Sequence, residues 1–188
     1  MNRRRPSRKR NRRKKAKCLF DMKIIYWPES ETQTRVVLTF DQQTIVTLNA
    51  SLRFSVNAAY YNDGNPRQRS TDHPFFLHLE GYGAEIAFAS KFNLFPDFTY
   101  NPRKGGSDVV TRDGKTVDVK QTKIENGHLL VNPEKAREPS DLYVLMVGEF
   151  PAYRYAGYAT KEQLFRPESL KDFGYGPSYA IEQKDLQT

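Results

Sequence analysis

The chain has 188 residues, of which 38% are hydrophobic and 13% aromatic, and its formal net charge is +8. This composition suits one folded domain with a buried core, and no apolar run approaches the ~18 residues of a membrane helix. The basic N-terminus lacks the apolar stretch of a secretory signal. A single cysteine, Cys18, excludes an internal disulfide. We therefore expect a cytoplasmic protein without membrane contact.

The excess positive charge is confined to the first 17 residues. This segment contains eleven Arg and Lys and no acid, whereas the rest of the chain has 19 basic and 22 acidic residues. Because such a segment buries no apolar surface and repels itself, we predict a disordered basic arm at 1–17 and a folded domain at 18–188. The arm residues predicted to contact nucleic acid are Arg3, Arg4, Arg5, Arg8, Lys9, Arg10, Arg12, Arg13, Lys14 and Lys15. A nuclear-import signal and a solubilising tail are the alternatives.

Residue patterns after the arm predict two short strands and then two helices. Residues 20–27 and 35–40 are rich in β-branched and aromatic residues, as strands are. Asp41 can cap a helix to about residue 62, since apolar residues recur at helical spacing within it. One face of this helix carries Arg53 between two asparagines. The three interpretations of this face are a solvated surface, a structural brace and a contact with nucleic acid.

A second helix is predicted at about 77–92, with glycines and alanines along one narrow side. Hairpin strands should follow, so we predict an α/β fold whose mixed, largely antiparallel sheet is flanked by helices. The predicted later strands are 107–111, 116–123, 128–131, 142–149, 153–159 and 178–183, with a short helix at 161–165.

The segment GGSDVVTRDGKTVDVKQTK raises the central question of the sequence, because it carries two aspartates and a lysine in a hairpin. A two-residue loop at Asp-Gly would send Asp108 and Asp118 to opposite faces. A three-residue loop ending in a left-handed Gly114 would pair the two aspartates and leave the valines on the other face. Since only the second register gathers the valines on one apolar face, we favour it.

In that register the two carboxylates would lie about 5 Å apart, which is destabilising unless a cation or a proton lies between them. Two carboxylates suit Mg²⁺, which prefers hard oxygen ligands and keeps water and substrate phosphate in its shell. Lys120 lies two residues beyond Asp118 and so on the same face. This set is suited to phosphodiester hydrolysis. A surface hairpin with exposed charges is the simpler alternative.

Together these residues resemble the PD-(D/E)XK nuclease superfamily, over about residues 41–183. Its pattern is a glutamate on a helix, an aspartate entering one strand and an acid-x-lysine on the next. GYGAEIAFASKF supplies Glu85, GGSDVV supplies Asp108, and VDVKQ supplies Asp118 and Lys120. Ser107 replaces the name-giving proline, and Asp118 replaces the commoner glutamate.

The resemblance implies a restriction-endonuclease-like core, as in phage-type members, and a hydrolase that cuts DNA with Mg²⁺, or Mn²⁺ as a substitute. It implies that Glu85, Asp108, Asp118 and the carbonyl of Val119 bind the metal and that Lys120 positions the attacking water. The products would be 5′-phosphate and 3′-hydroxyl ends. A homodimer is compatible with it, as is the host cytoplasm if a phage encodes the protein.

Two other function classes stay open. The chain could be a nucleic-acid-binding or structural protein that keeps the fold without cutting, or a Holliday-junction resolvase. Basic residues in or near the predicted site could contact phosphates in any of these cases: Arg53, Arg67, Arg69, Arg103 and Lys104. Neither the histidines nor Cys18 have zinc-site spacing, and DGKT lacks the upstream glycine and the following helix of a phosphate-binding loop.

Overall fold

A computed structural model of the chain describes residues 35–60, 73–100, 106–174 and 176–188. The predicted arm at 1–17 and the predicted strand at 20–27 lie outside these ranges. So do four of the predicted phosphate-contacting residues, Arg67, Arg69, Arg103 and Lys104.

The described residues form a mixed α/β fold with the predicted order of helices before hairpin strands. Strand boundaries lie within two residues of the prediction for most elements, because hydrophobic alternation and turn residues mark them clearly. The helices are α1 (Phe40–Tyr60), α2 (Pro74–Lys91) and α3 (Lys161–Leu164), and the strands are β1 (Arg35–Val37), β2 (Val109–Val110), β3 (Thr116–Thr122), β4 (Leu129–Val131), β5 (Leu142–Glu149), β6 (Ala152–Thr160), β7 (Leu170–Asp172) and β8 (Pro177–Ile181).

The strands form two sheets, where the sequence predicted one. The larger sheet has the order β1-β6-β5-β3-β2, and the smaller has the order β4-β8-β7. In the larger sheet β3 runs parallel to β5 and the other described pairs are antiparallel, which confirms the mixed, largely antiparallel prediction. The sequence did not predict β7, because LKD has no β-branched or aromatic residue.

The first helix begins two residues earlier than a cap at Asp41 would place it, and it has a different cap. The Thr39 side-chain oxygen accepts a hydrogen bond of 3.3 Å from the Gln42 N–H, and the Gln42 side chain accepts one of 2.9 Å from the Thr39 N–H. These reciprocal bonds have the pattern of a capping box. The prediction that Asp41 caps the helix is therefore wrong, because a threonine with a glutamine three residues later satisfies the free backbone donors.

Helix α1 packs against the rest of the protein through a face that includes polar residues. Val46 and Ala50 are fully buried and Asn49 is nearly so, whereas Leu48 is 61% exposed and Leu52 is 47% exposed. The helical recurrence of apolar residues correctly indicated a helix. It did not indicate which side of the helix faces the core.

Helix α2 lies against the larger sheet along its predicted narrow side. Its residues from Tyr82 to Ala89 are all buried, and they share a core with valines of β3 and with Tyr153 and Tyr155 of β6. Small residues let the helix axis approach the sheet closely, because they add little bulk between the two layers. This close packing brings the middle of α2 next to the β2–β3 hairpin.

A second core fills the other face of the larger sheet. Residues of β5 such as Tyr143 and Leu145 pack there with β4 and with Leu164 of α3. The smaller sheet thus covers the face of β3 and β5 opposite α2. No helix within the described ranges is long and apolar enough to cross a bilayer.

Candidate functional site

The hairpin between β2 and β3 has the three-residue loop that the valine pattern predicts. Val109 pairs with Val117, and the Thr111 N–H donates a hydrogen bond of 2.9 Å to the Lys115 carbonyl. Gly114, the last loop residue, has a φ of +83°, in the left-handed region that glycine adopts without strain. The predicted register is confirmed.

This register sorts the side chains of β3 between two faces. Val117 and Val119 are buried in the core that contains α2. Because side chains alternate along a strand, Asp118 and Lys120 project from the opposite face. The β5 residue beside Asp118 in the parallel register is Tyr143, which belongs to the second core. The acidic residue and the lysine therefore share one face, as predicted.

Asp108 lies just before β2, at the open end of the hairpin. Its backbone N–H donates a hydrogen bond of 2.8 Å to the Val117 carbonyl, but the paired residues of β2 begin at Val109, which pairs with Val117. Asp108 is thus bound to β3 without pairing with Asp118, which corrects the direct opposition that the register alone predicts. Instead, Oδ2 of Asp108 accepts a hydrogen bond of 2.7 Å from the backbone N–H of Val119. Since the N–H and C=O of one strand residue point to the same edge, the Val119 carbonyl is directed to this edge as well.

The Asp118 carboxylate is the most buried acid of the site and lies between two lysines. Asp118 is 1% exposed, and the Lys120 ammonium contacts its Oδ1. Burial would lower the pKa of Lys120, but the carboxylates of Asp118 and Asp108 outweigh it and raise that pKa above its ordinary value. Lys120 is therefore a charged ammonium held among carboxylates.

The second lysine, Lys135, was not predicted from the sequence. It lies on a 3-10 helix, Pro133–Arg137, between β4 and β5, and its Nζ is 2.9 Å from Oδ2 of Asp118. No short-range motif links Lys135 to the hairpin, because the contact depends on how the smaller sheet packs on β3. The only sign of this contact in the sequence is a lysine among the charged residues of the PEKAR segment. Such a segment is equally typical of a solvated turn.

Glu85 reaches the site from the middle of α2, as predicted, but with an unexpected partner. Glu85 is 7% exposed, and both of its carboxylate oxygens accept hydrogen bonds from Arg53 of α1, at 3.1 to 3.3 Å. The Arg53 guanidinium also lies over the Tyr82 ring, 4.3 Å from its centroid. The structure thus shows Arg53 as a brace between the two helices. Because its guanidinium is bound to Glu85, the predicted contact with nucleic acid gains no support.

Glu85 and Asp108 have pKa values above those of ordinary carboxyl groups. Burial, reinforced by the charge of Asp108, raises the pKa of Glu85 to about 8 against the opposing pull of Arg53. Burial and then the charge of Asp118 raise the pKa of Asp108, although Lys120 and the Val119 N–H act in the other direction. The two aspartates therefore repel each other when both are charged.

The donor set fits a single Mg²⁺ better than a cage of three acids. Within the ranges that the structure describes, no three acidic, histidine or cysteine side chains converge as a ready-made metal centre. Mg²⁺ takes one or two carboxylates and keeps several waters, so Asp108, Asp118 and the Val119 carbonyl suffice. Glu85, the third predicted ligand, has both oxygens bound to Arg53 and is less suited to the role.

No protein-family model matches the chain, and no curated protein is significantly similar to it. The resemblance to the PD-(D/E)XK superfamily therefore depends on Glu85, Asp108, Asp118 and Lys120 and on the elements that carry them.

Proposed function

We propose that this chain is a metal-dependent endonuclease that hydrolyses phosphodiester bonds in DNA. The observation that carries the proposal is the meeting of Asp108, Asp118 and Lys120 at the open end of the β2–β3 hairpin. Asp108 lies just before β2 and is partly buried, Asp118 lies on β3 and is buried, and the two carboxylates repel each other. A carboxyl group with a raised pKa, such as that of Asp108, beside a second acid and a lysine is typical of catalytic sites.

Each of these residues has a distinct role in the proposed reaction. Asp108, Asp118 and the Val119 carbonyl would hold Mg²⁺, with Mn²⁺ as a substitute. The bound metal would lower the pKa of a water and neutralise charge that develops on phosphorus. The Lys120 ammonium would orient the attacking water and stabilise the transition state. The products would be 5′-phosphate and 3′-hydroxyl ends.

Glu85 supports the site from the opposite face through its contact with Arg53. The pair fixes the middle of α1 against α2, behind the strand edge that carries the aspartates. We assign Glu85 an indirect role, in which its charge responds to that of Asp108 and Lys120. A direct ligand role would require one of its oxygens to leave Arg53.

The proposal extends to the fold and the partners of the chain. A helix-borne acid, an antiparallel hairpin and a strand parallel to β3 agree with a restriction-endonuclease-like core. The basic segment 1–17 would bind the phosphate backbone, and its binding would weaken steeply as salt is raised. The proposed setting is the cytoplasm, or the host cytoplasm if a phage encodes the protein, and a homodimer is compatible with it.

The test is a cleavage assay on supercoiled plasmid, linear duplex, single strand and four-way junction, with Mg²⁺, Mn²⁺ or a chelator. We expect Asp118→Asn and Lys120→Ala to lose cleavage by about a hundredfold or more, since each removes several kcal/mol of transition-state stabilisation. Asp113→Asn, in the exposed loop of the same hairpin, is the matched control and should cut normally. Equal cleavage by all the variants would rule out this site.

One observation favours the second candidate, a nucleic-acid-binding protein that does not cut. Among the described residues of the site, the three acids Glu85, Asp108 and Asp118 are matched by three cations: Arg53, Lys120 and Lys135. The acids of the site thus have cationic partners without a metal. Deleting residues 1–17 separates the candidates, because a binder should lose its salt-sensitive affinity and its function, whereas a nuclease should keep metal-dependent cleavage at reduced affinity. A junction resolvase would be a dimer that prefers the four-way junction.

A further inference from the structure

We propose that Lys135 is a phosphate-binding residue of this site, held on Asp118 while metal and nucleic acid are absent. The inference rests on the proposed function and adds a residue to it. Lys135 belongs to neither the hairpin nor α2; it approaches Asp118 from the turn between β4 and β5. Its ligand would be an unesterified oxygen of a DNA phosphate, which a lysine binds as a point charge.

The contact between Lys135 and Asp118 is ionic rather than directional. The Lys135 ammonium is 2.9 Å from Oδ2 of Asp118. Yet this oxygen is fully buried and has no aligned hydrogen-bond donor among the described residues. An ion pair without a directional hydrogen bond can be exchanged for another cation with little loss, provided that the carboxylate keeps a positive partner. A divalent metal bound to Asp118 would be such a partner.

Of the three cations in the site, Lys135 is the one best placed to leave. The Arg53 side chain is 15% exposed and is bound to both oxygens of Glu85. Lys120 is surrounded by Asp118, Asp108 and Glu85, all of which raise its pKa. The Lys135 side chain is 34% exposed, slightly more than the 29% of Lys120, and so has the most access to solvent of the three. A metal bound to Asp118 would repel the Lys135 ammonium towards solvent. A phosphate would approach from the same side.

The backbone that carries Lys135 is fixed, so this movement would need only side-chain torsions. The Asn132 side chain accepts a hydrogen bond of 3.0 Å from the Glu134 N–H, and the Asn132 carbonyl accepts one of 3.0 Å from the Lys135 N–H. Pro133 is at the start of the 3-10 helix, where its fixed φ suits the turn. A flexible lysine on a rigid turn can thus alternate between a carboxylate and a phosphate.

Mn²⁺ binding to the DNA-free protein, measured by electron paramagnetic resonance, tests the first half of the inference. Lys135→Gln should bind Mn²⁺ about tenfold more tightly than the wild type, because a competing positive charge has been removed. Lys135→Arg keeps the charge and should stay close to the wild type. Lys171→Gln, at an exposed lysine of β7, is the charge-matched control and should leave Mn²⁺ affinity unchanged.

Steady-state cleavage kinetics test the second half. At saturating Mn²⁺, Lys135→Gln should raise the KM for DNA about tenfold with little change in kcat, the pattern of a lost substrate contact. Lys135→Arg should restore most of the affinity.

Two results would overturn the inference in distinguishable ways. Unchanged or weaker Mn²⁺ binding by Lys135→Gln would make Lys135 a structural brace and leave the nuclease proposal intact. A wild-type protein that neither binds Mn²⁺ nor cuts DNA would overturn the proposed function and this inference with it.

Discussion

Oδ2 of Asp108 accepts a hydrogen bond of 2.7 Å from the backbone N–H of Val119. Together with the hydrogen bond of 2.8 Å from the Asp108 N–H to the Val117 carbonyl, this bond ties the residue before β2 to the edge of β3. Because the Val119 carbonyl points to the same edge, one contact aligns a carboxylate and a carbonyl as oxygen donors. The open end of the hairpin thus carries the candidate metal site.

Replacing Asp108 by asparagine should separate stability from activity. Burial and the charge of Asp118 raise the pKa of Asp108, so the fold disfavours its charged form. An amide oxygen can still accept the bond from Val119. We expect the free energy of unfolding of Asp108→Asn, measured in urea, to equal that of the wild type or to exceed it by up to about 1 kcal/mol. The variant should lose metal-dependent cleavage.

Asp113→Asn provides the matched control in the same hairpin. Hydrogen bonding from Thr111, and then from Lys115, lowers the pKa of Asp113, so its charged form is favoured. Asp113 is exposed, and this substitution should cost well under about 1 kcal/mol and leave cleavage intact. Marked destabilisation by Asp108→Asn would contradict the assignment of Asp108 as a residue that costs stability for function.

The brace between α1 and α2 predicts a stability loss when Arg53 is replaced by methionine. The substitution leaves the buried Glu85 without its hydrogen-bond donors, which should cost about 1 to 3 kcal/mol. Adding Glu85→Gln should recover part of that loss, because a neutral amide does not need a cation. Urea denaturation of the two single variants and the double variant gives the coupling free energy.

The control for this brace is an ion pair of the same type whose glutamate is exposed. Arg154 lies 2.6 Å from Glu125, whose side chain is 77% exposed, so Arg154→Met should cost less than about 1 kcal/mol. If Arg53→Met unfolds like the wild type but binds DNA more weakly, Arg53 contacts DNA and does not act as a brace.

Glu85 should make the metal-free protein less stable as pH rises. Its pKa increases from an ordinary 4.5 to about 8 in the folded state, so between these values the folded state holds more protons than the unfolded state. The free energy of unfolding therefore falls with rising pH, by up to about 1.4 kcal/mol per pH unit. Glu85→Gln should flatten this slope between pH 5 and 8, and the exposed control Glu168→Gln should not. Parallel wild-type and Glu85→Gln profiles in urea would exclude a raised pKa for Glu85.

The local part of the site could be predicted from the sequence. Alternation of valines with polar residues fixed the register of the hairpin, because only a three-residue loop places Val109 with the other valines on one face. Side-chain alternation along β3 placed Asp118 and Lys120 on the same face. Helical spacing of small residues similarly predicted that α2 packs closely and carries Glu85. Each of these features depends on residues that are neighbours along the chain.

The remaining part depends on contacts between distant segments. Arg53 and Glu85 are on different helices. From the sequence alone, the polar stripe on α1 is typical of a solvated face, because the buried acid that faces it comes from another helix. The exposure of Leu48 and Leu52 has the same origin, since periodicity shows a stripe but not its partner. Lys135 reaches Asp118 only because the smaller sheet packs against β3.

Gly83 should be the glycine of α2 that cannot be replaced by alanine. A Cβ at this position would overlap the hydroxyl of Tyr153 and lie 3.2 Å from the Phe150 ring. Tyr153 is fully buried and its hydroxyl donates a hydrogen bond of 3.2 Å to the Glu80 carbonyl, so it cannot move without losing a buried bond. We expect Gly83→Ala to lower the free energy of unfolding by about 1 to 3 kcal/mol.

Gly81, two residues earlier in the same helix, is the matched control. A Cβ there would have no atom within 4 Å, so Gly81→Ala should stabilise the protein by about 0.5 to 1 kcal/mol through helix propensity alone. Tyr153→Phe removes the overlapping oxygen and should recover part of the Gly83→Ala loss in the double variant. If both alanine variants are stabilised equally in urea, the close approach of α2 to β6 is absent. The position of Glu85 next to the hairpin would then lose its structural basis.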